Sequence, residues 1–463
     1  MTGNIARDNG STKTLVTVFP FASSLQRSEL TEAQVREFRA SLEGLAEAGY
    51  AFRTAPPGEM VGAQGIPVVL VLTGGVEGEI LRRMEGAGMG PGFSRAVALV
   101  AHPEANSLPA ALEAAAALDQ LGYKVRLILA ESLGGTGHAD ELASYLVVQR
   151  AARVMAEARL GLVGGPSDWL VASSPAAEVV REAWGPTVVP VEMGRLLALY
   201  EEEMASGQGG QGAFGGRPSL LEEARALMAA AREVREPSLE TMAGAVDVYW
   251  DLRRLVEEQR LSAVTVKCFD LLGVIRNTGC YALARLNDEG VVAGCEGDVP
   301  ATLTMMLVSA LAEGRLGPSG VSFMANPAWI KPGKMESGAG SGGTEVTLAH
   351  CTIPLSLTRG YTVRSHFESG IGVGFAGEWP EGPVTIARIG GQNLEHLLVL
   401  EGEVVENTRS DRLCRTQLRI RLDDSRLAGA LLHPLGNHLV VAPTSRAAAL
   451  IREYWSLTRT FRG

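Results

Sequence analysis

Lysine is scarce in this chain, at 5 of the 42 basic residues, and the net charge is −10. With no basic stripe, nucleic acid is set aside as a partner. Cysteine is scarce too: the five are Cys268, Cys280, Cys295, Cys351 and Cys414, with no CxxC spacing. An odd, unpatterned set indicates neither a disulfide framework nor a structural zinc site. No uncharged stretch is both long and apolar enough to span a bilayer, and the polar start "MTGNIARDNGSTKT" has no apolar signal region. No repeat at solenoid periods occurs. These absences lead to the expectation of a cytoplasmic protein with no membrane partner.

What is present is core material. Hydrophobic residues make up 46% of the 463 positions and charged ones 20%, so two to four domains are expected. The first third alternates apolar strands with helical patterns: "TLVTVFPF", a helix over 32–48, "IPVVLVLTGG", "AVALVAH", a helix over 107–121 and "KVRLILAES". That rhythm predicts a doubly wound α/β domain with a parallel sheet. A helix over 138–158 follows. "RLGLVGGPSDWLVAS" and "PTVVPVEM" then open a second α/β unit. Residues 206–219, "SGQGGQGAFGGRPS", read as a linker by composition. Helical patterns are expected over 219–234 and 237–259. After an apolar helix beginning at Val299, the remainder reads as short strands and turns, which predicts a mostly antiparallel barrel or sandwich. The expected division is 1–158, 159–262 and 263–463.

Glycines in "TGGVEGE" and "VGGPSDW" follow strands but match neither GxGxxG nor GxxxxGK[ST]. They read first as tight strand-to-helix turns, with substrate contact at a sheet's carboxyl end as the alternative.

Chemistry-bearing residues concentrate in the C-terminal third. Glu296 and Asp298 stand just ahead of the apolar helix, and His350, His366 and His438 follow. Carboxylates with imidazoles suit Mn²⁺, Zn²⁺ or a similar divalent ion. Plainer readings stand beside this one: first-turn acids favoured by the helix dipole, a core histidine at His350, and surface histidines at His396 and His433. Arg276 or Lys331 can meet an anionic substrate or be solvated. His366 and Glu368 in "HFESG" can bond sugar hydroxyls, and Trp329 and Trp379 can stack on a sugar or pack in the core.

"CEGDVPATLTMML", "LAHCTIP", "HFESG", "CRTQ" and "GNHLVVAP" occur in this order. Over about residues 264–444 the chain resembles the L-fucose isomerase-like branch of the L-fucose/L-arabinose isomerase family. The resemblance implies two Rossmann-like N-terminal domains followed by a β-barrel C-terminal domain. It implies Mn²⁺, aldose–ketose isomerisation of a monosaccharide, and a trimeric or hexameric homo-oligomer with sites closed by a neighbouring subunit. It assigns Glu296 as metal ligand and acid/base group, and His350 and His438 as metal ligands. Where the family has a second acid, "VSFMANPAW" offers Ala325 and Asn326. Asn326 can ligate through its carbonyl oxygen but cannot act as a base. Asp298 is then the expected second catalytic carboxylate, with His350 or His366 next in line. The departure keeps other readings open: an isomerase of an anionic sugar, a sugar lyase or epimerase, or a sugar-binding protein without catalysis.

Overall fold

The structure is a computed structural model that describes residues 13–61, 64–86, 95–205, 219–313, 320–331, 343–422 and 435–458. The expected linker (bar its last residue), most of the loop tip "ESGAGSGG", the N-terminal segment and His433 lie outside the described residues. The chain divides into two compact units: of the described residues, 13–153 and 452–458 form the first, and 154–451 the second.

The first unit is built on β1 (Thr14–Phe21), β2 (Tyr50–Thr54), β3 (Ile66–Val71), β4 (Ala96–Ala101) and β5 (Lys124–Leu129), all parallel in the order β2-β1-β3-β4-β5. Central strands β3 and β4 are almost wholly buried, as runs such as "AVALVA" require when helices cover both faces. Phe19, Phe21, Val69, Val71, Leu99 and Ala111 share one core. The helix expected over 32–48 is instead two, Ser28–Ala40 and Glu43–Glu47. The break falls where Ser41 Oγ donates back to the Phe38 carbonyl at 2.7 Å, competing with the helical ladder.

The second unit contains β6 (Arg159–Val163), β7 (Thr187–Val191), the short β8 (Glu233–Val234), β9 (Ala263–Val266) and β10 (Val292–Cys295). Then come β11 (Phe323–Lys331), β12 (Glu345–His350), β13 (Tyr361–Arg364), β14 (Gly374–Gly377), β15 (Gly382–Gly390), β16 (His396–Asn407), β17 (Thr416–Leu422) and β18 (Leu439–Ala442). A second parallel sheet runs β10-β9-β6-β7, drawing two strands from beyond residue 262. Six strands close an antiparallel barrel in the order β11-β12-β17-β16-β15-β18. Closure leaves no unpaired edge.

The protein is thus mixed α/β, with parallel sheets and a closed six-stranded antiparallel barrel. The expectation that only strands follow the Val299 helix missed the helix Arg446–Thr458. Its Ala447, Ala448, Ile451 and Tyr454 are buried at helical spacing. Among the described residues no helix is long and apolar enough to cross a membrane.

Candidate metal centre

The centre begins at the carboxyl ends of the second unit's parallel strands, the usual ligand position of such sheets. β10 ends at Cys295, and the chain turns into the helix Val299–Glu313 within three residues. The turn demands unusual backbone. Glu296 takes φ +63° and Gly297 φ +71°. A left-handed residue other than glycine costs about 1–2 kcal/mol. Gly297 is required for space as well, since a Cβ there would stand 2.2 Å from the Gly165 carbonyl. Asp298 then caps the helix, its Oδ1 accepting from the Ala301 N–H at 2.9 Å.

The strained turn is clasped from the loop after β6. Ser167 N–H donates to the Glu296 carbonyl at 2.8 Å, and Trp169 Nε1–H to Glu296 Oε2 at 2.6 Å. That leaves Oε1 facing two imidazoles. His438, just ahead of β18, has Nε2 3.4 Å from Oε1; His350, ending β12, has Nε2 at 4.0 Å. Each histidine has spent its other nitrogen. His438 Nδ1 bonds Asp298 Oδ2 at 2.8 Å, and His350 Nδ1 bonds Thr352 Oγ1 at 2.9 Å. Buried His438 Nε2 has no polar partner nearer than Glu296 Oε1 at 3.4 Å. One ligand atom from each of Glu296, His350 and His438 lies within 4.8 Å of the others. Each residue therefore holds one atom in place with a protein partner and offers a second to a common point. An outer carboxylate or hydroxyl fixing each imidazole is the pattern of a metal site, so this triad can hold a metal ion.

Asp298 behaves differently from Glu296. It is fully buried, and Arg388 Nη1 donates to both its oxygens, at 3.1 and 2.9 Å. Arg388, itself fully buried in β15, also donates to Ser173 Oγ at 2.8 Å. With both oxygens engaged by Arg388, His438 and the helix N-terminus, Asp298 orients His438 and locks the turn.

The electrostatics follow from this packing. Burial would raise Glu296, but the hydrogen bond and charge of His438, the charge of His350 and the Trp169 N–H hold it at about 2. Burial would lower His438, but bonds and charges from Asp298 and Glu296 hold it at about 9. His350 is pushed down to about 3 by burial and then by the His438 charge. Burial likewise raises Asp298, yet Arg388 and His438 bring it below its ordinary value. His438 is thus a strongly proton-avid imidazole held between two carboxylates.

The other expected residues scatter. His366 is buried, with Nδ1 3.0 Å from Ser369 Oγ and its ring edge-on to Phe269, which packs edge-on to Trp169. Burial, then the Arg415 charge, lowers it to about 4. Glu368 is exposed, and partial burial followed by the charge of Glu296 raises its proton affinity. Asn326 is half-buried in β11 across from Ala349, and its Oδ1 accepts from Asn437 Nδ2 at 3.3 Å. Arg276 is exposed at a helix end, and Trp329 is 67% exposed on β11. The structure does not bring either of these two into the buried cluster. Trp379 is buried, as a core residue. Sequence reasoning missed Trp169, Ser173 and Arg388. Only Arg388 carried a signal, a lone charge inside the apolar strand "GPVTIARIG".

Fold and site together define a mixed α/β protein with a buried His–His–Glu centre able to hold a metal ion. No family model matches the chain. A 65-residue segment is 31% identical to a sulfoquinovose isomerase of Alkalicoccus urumqiensis, covering 14% of this chain and 15% of that protein's length. This similarity supports a sugar isomerase and no finer assignment.

Proposed function

We propose that the chain is a divalent-metal-dependent aldose–ketose isomerase, with Mn²⁺ the expected ion and a monosaccharide, neutral or anionic, the substrate. The observation that carries this reading is the convergence of Glu296 Oε1 and the two Nε2 atoms, each residue anchored through its other atom. The segment similar to a sulfoquinovose isomerase supports the sugar chemistry. The layout implied by the family resemblance belongs to the same proposal: two Rossmann-like domains ahead of the barrel domain, in a cytoplasmic homo-oligomer whose sites a neighbouring subunit helps to close.

In this reading Glu296, His350 and His438 hold the ion, and Asn326 can add its carbonyl oxygen. When bound, the ion polarises the sugar's two adjacent oxygens. Isomerisation through a cis-enediol moves one proton from C2 to C1 and another between O2 and O1. Glu296, held as a carboxylate, suits the oxygen-bound proton. The carbon-bound proton needs a group that accepts and returns it. Glu368, with its raised proton affinity, and His366, neutral at pH 7, suit that work in place of the absent second acid. Asp298 is assigned to orientation: it fixes the tautomer and direction of His438.

The test is deuterium wash-in. Metal-loaded protein is incubated with pooled aldoses and ketoses in D₂O, including anionic sugars, beside an EDTA-stripped control. Metal-dependent label at C1 or C2 is expected. Bound metal with no exchange in any sugar would overturn the isomerase reading. It would favour the lyase, epimerase or binding-protein alternatives that Asn326 motivates.

A further inference from the structure

Two of the motifs singled out in the sequence, "HFESG" and "CRTQ", meet in space through Arg415. His350 pairs with Thr416 across β12 and β17, so Arg415 lies one residue beyond a metal-site strand end. The backbone of Arg415 and of Phe367 lies by the Cys351 thiol, next to His350, and favours its thiolate. The Arg415 side chain reaches over loop 365–370. Its Nε donates to the Ser365 carbonyl at 2.8 Å, its Nη2 to Ser365 Oγ at 3.2 Å, and its guanidinium lies 5.7 Å from the Phe367 ring centroid.

These contacts use two of five N–H donors. They supply no counter-charge: among the described residues Arg415 makes no ion pair with Asp or Glu. Three of the less exposed cations of the same unit are paired with carboxylates. Arg388 is paired with Asp298, Lys267 with Asp168 and Asp270, and Arg364 with Glu236 and Asp411. A half-buried guanidinium with free donors and no carboxylate is prepared for an oxyanion from outside. Its loop also carries His366, whose ring joins it through Phe269 to Trp169 and thence to Glu296.

We infer that Arg415 is the specificity residue of the site, taking an anionic oxygen group at the end of the sugar remote from the reacting carbons. This rests on the isomerase reading and narrows its substrate to anionic sugars. Sulfonate, carboxylate and phosphate share the required chemistry, and the guanidinium's paired donors suit each.

The experiment compares sugars identical except at C6: sulfonate, carboxylate, phosphate or neutral hydroxyl. Metal-loaded wild-type protein, Arg415→Gln and Arg415→Lys are assayed by deuterium wash-in, and binding is measured separately by calorimetry. Wild type should prefer one anionic sugar at least about 100-fold in kcat/KM. Arg415→Gln should lose that preference mainly through KM, with a loss on the neutral sugar at least about tenfold smaller than on the anionic one, and Arg415→Lys should retain part of the preference. Equal loss of kcat on neutral and anionic sugars would show a clamp on loop 365–370 and overturn the proposal. If no sugar is turned over, calorimetry decides alone. Anionic-sugar binding present in wild type and absent in Arg415→Gln upholds the anion site while the isomerase reading falls. No binding of any anionic sugar by wild type overturns it.

Discussion

Among the described residues the protein has two all-parallel sheets, and the mouths at their carboxyl ends are equipped in opposite ways. In the first unit, loops after β1, β3 and β4 line a cavity of about 480 Å³ with Ser23, Gln26, Thr73, Gly74, Gly75 and Asn106. Its one acid is Glu77, and its groups bond each other: Ser23 N–H to Thr73 Oγ1 at 2.7 Å, Gly75 N–H to Glu77 Oε1 at 3.3 Å. In the second unit, the corresponding mouth gathers Glu296, Asp298 and Lys267 from its own strand ends and receives two histidines from the barrel's strands. The sheet supplies the position in both cases. In the second unit another structural layer adds possible metal ligands at that position.

The comparison breaks most completely if the charged mouth is neutralised. Glu296→Gln should weaken metal binding at least about 100-fold and lower kcat/KM by about 10³ or more, read by metal analysis after dialysis and by wash-in. Retained affinity would remove Glu296 from the centre. The next effect is on stability. Asp298→Ala strands buried Arg388 and removes a helix cap, so a loss of about 3–5 kcal/mol in urea unfolding is expected. A loss under about 1 kcal/mol would show that the pair is not what locks the turn.

Much of the first sheet was legible because buried parallel strands read as continuous apolar runs. Thr14–Phe21 was expected at its full length. The edge strand Tyr50–Thr54 was not, since "YAFRT" is short and carries an arginine. β9 and β10 were missed as members of the second sheet, because four-residue strands leave no period to read. At the site, the sequence yielded the residues whose local context is distinctive, namely the acids before an apolar helix and the histidines at strand ends. It could not yield Trp169 or Ser173, which lie 127 and 215 positions from the partners they bond. Nor could it tell that Asp298, two residues from Glu296, has both oxygens occupied by the protein.

A smaller effect sharpens the comparison through pH. His438 rises from an ordinary 6.5 to about 9 in the metal-free protein. Its stabilising contribution is therefore complete below pH 6.5 and lost as pH rises through 9. A metal must displace that proton, so apparent affinity should climb between pH 6.5 and 9, by up to about tenfold per unit, and level off above. Titration calorimetry across that range checks it. A flat profile would mean that His438 does not surrender a proton to the ion. No histidine lines the first unit's cavity.

The smallest effect concerns strain, which both mouths contain. Ala105, in the first unit's cavity, has φ +53°, close to the +63° of Glu296. Ala105→Gly should relieve the steric cost of a Cβ in that conformation, partly offset by the freedom glycine gains in the unfolded chain. A net gain of up to about 1 kcal/mol in urea unfolding is expected, with metal affinity unchanged. Glu296→Gly should relieve comparable backbone strain while abolishing metal binding. If both hold, the same backbone strain serves different ends: replaceable in the first mouth, and in the second retained because the side chain it aims is the one that holds the ion. If Ala105→Gly destabilises instead, the left-handed turn in the first unit depends on its methyl group, and the two mouths are less alike in construction than their backbones indicate.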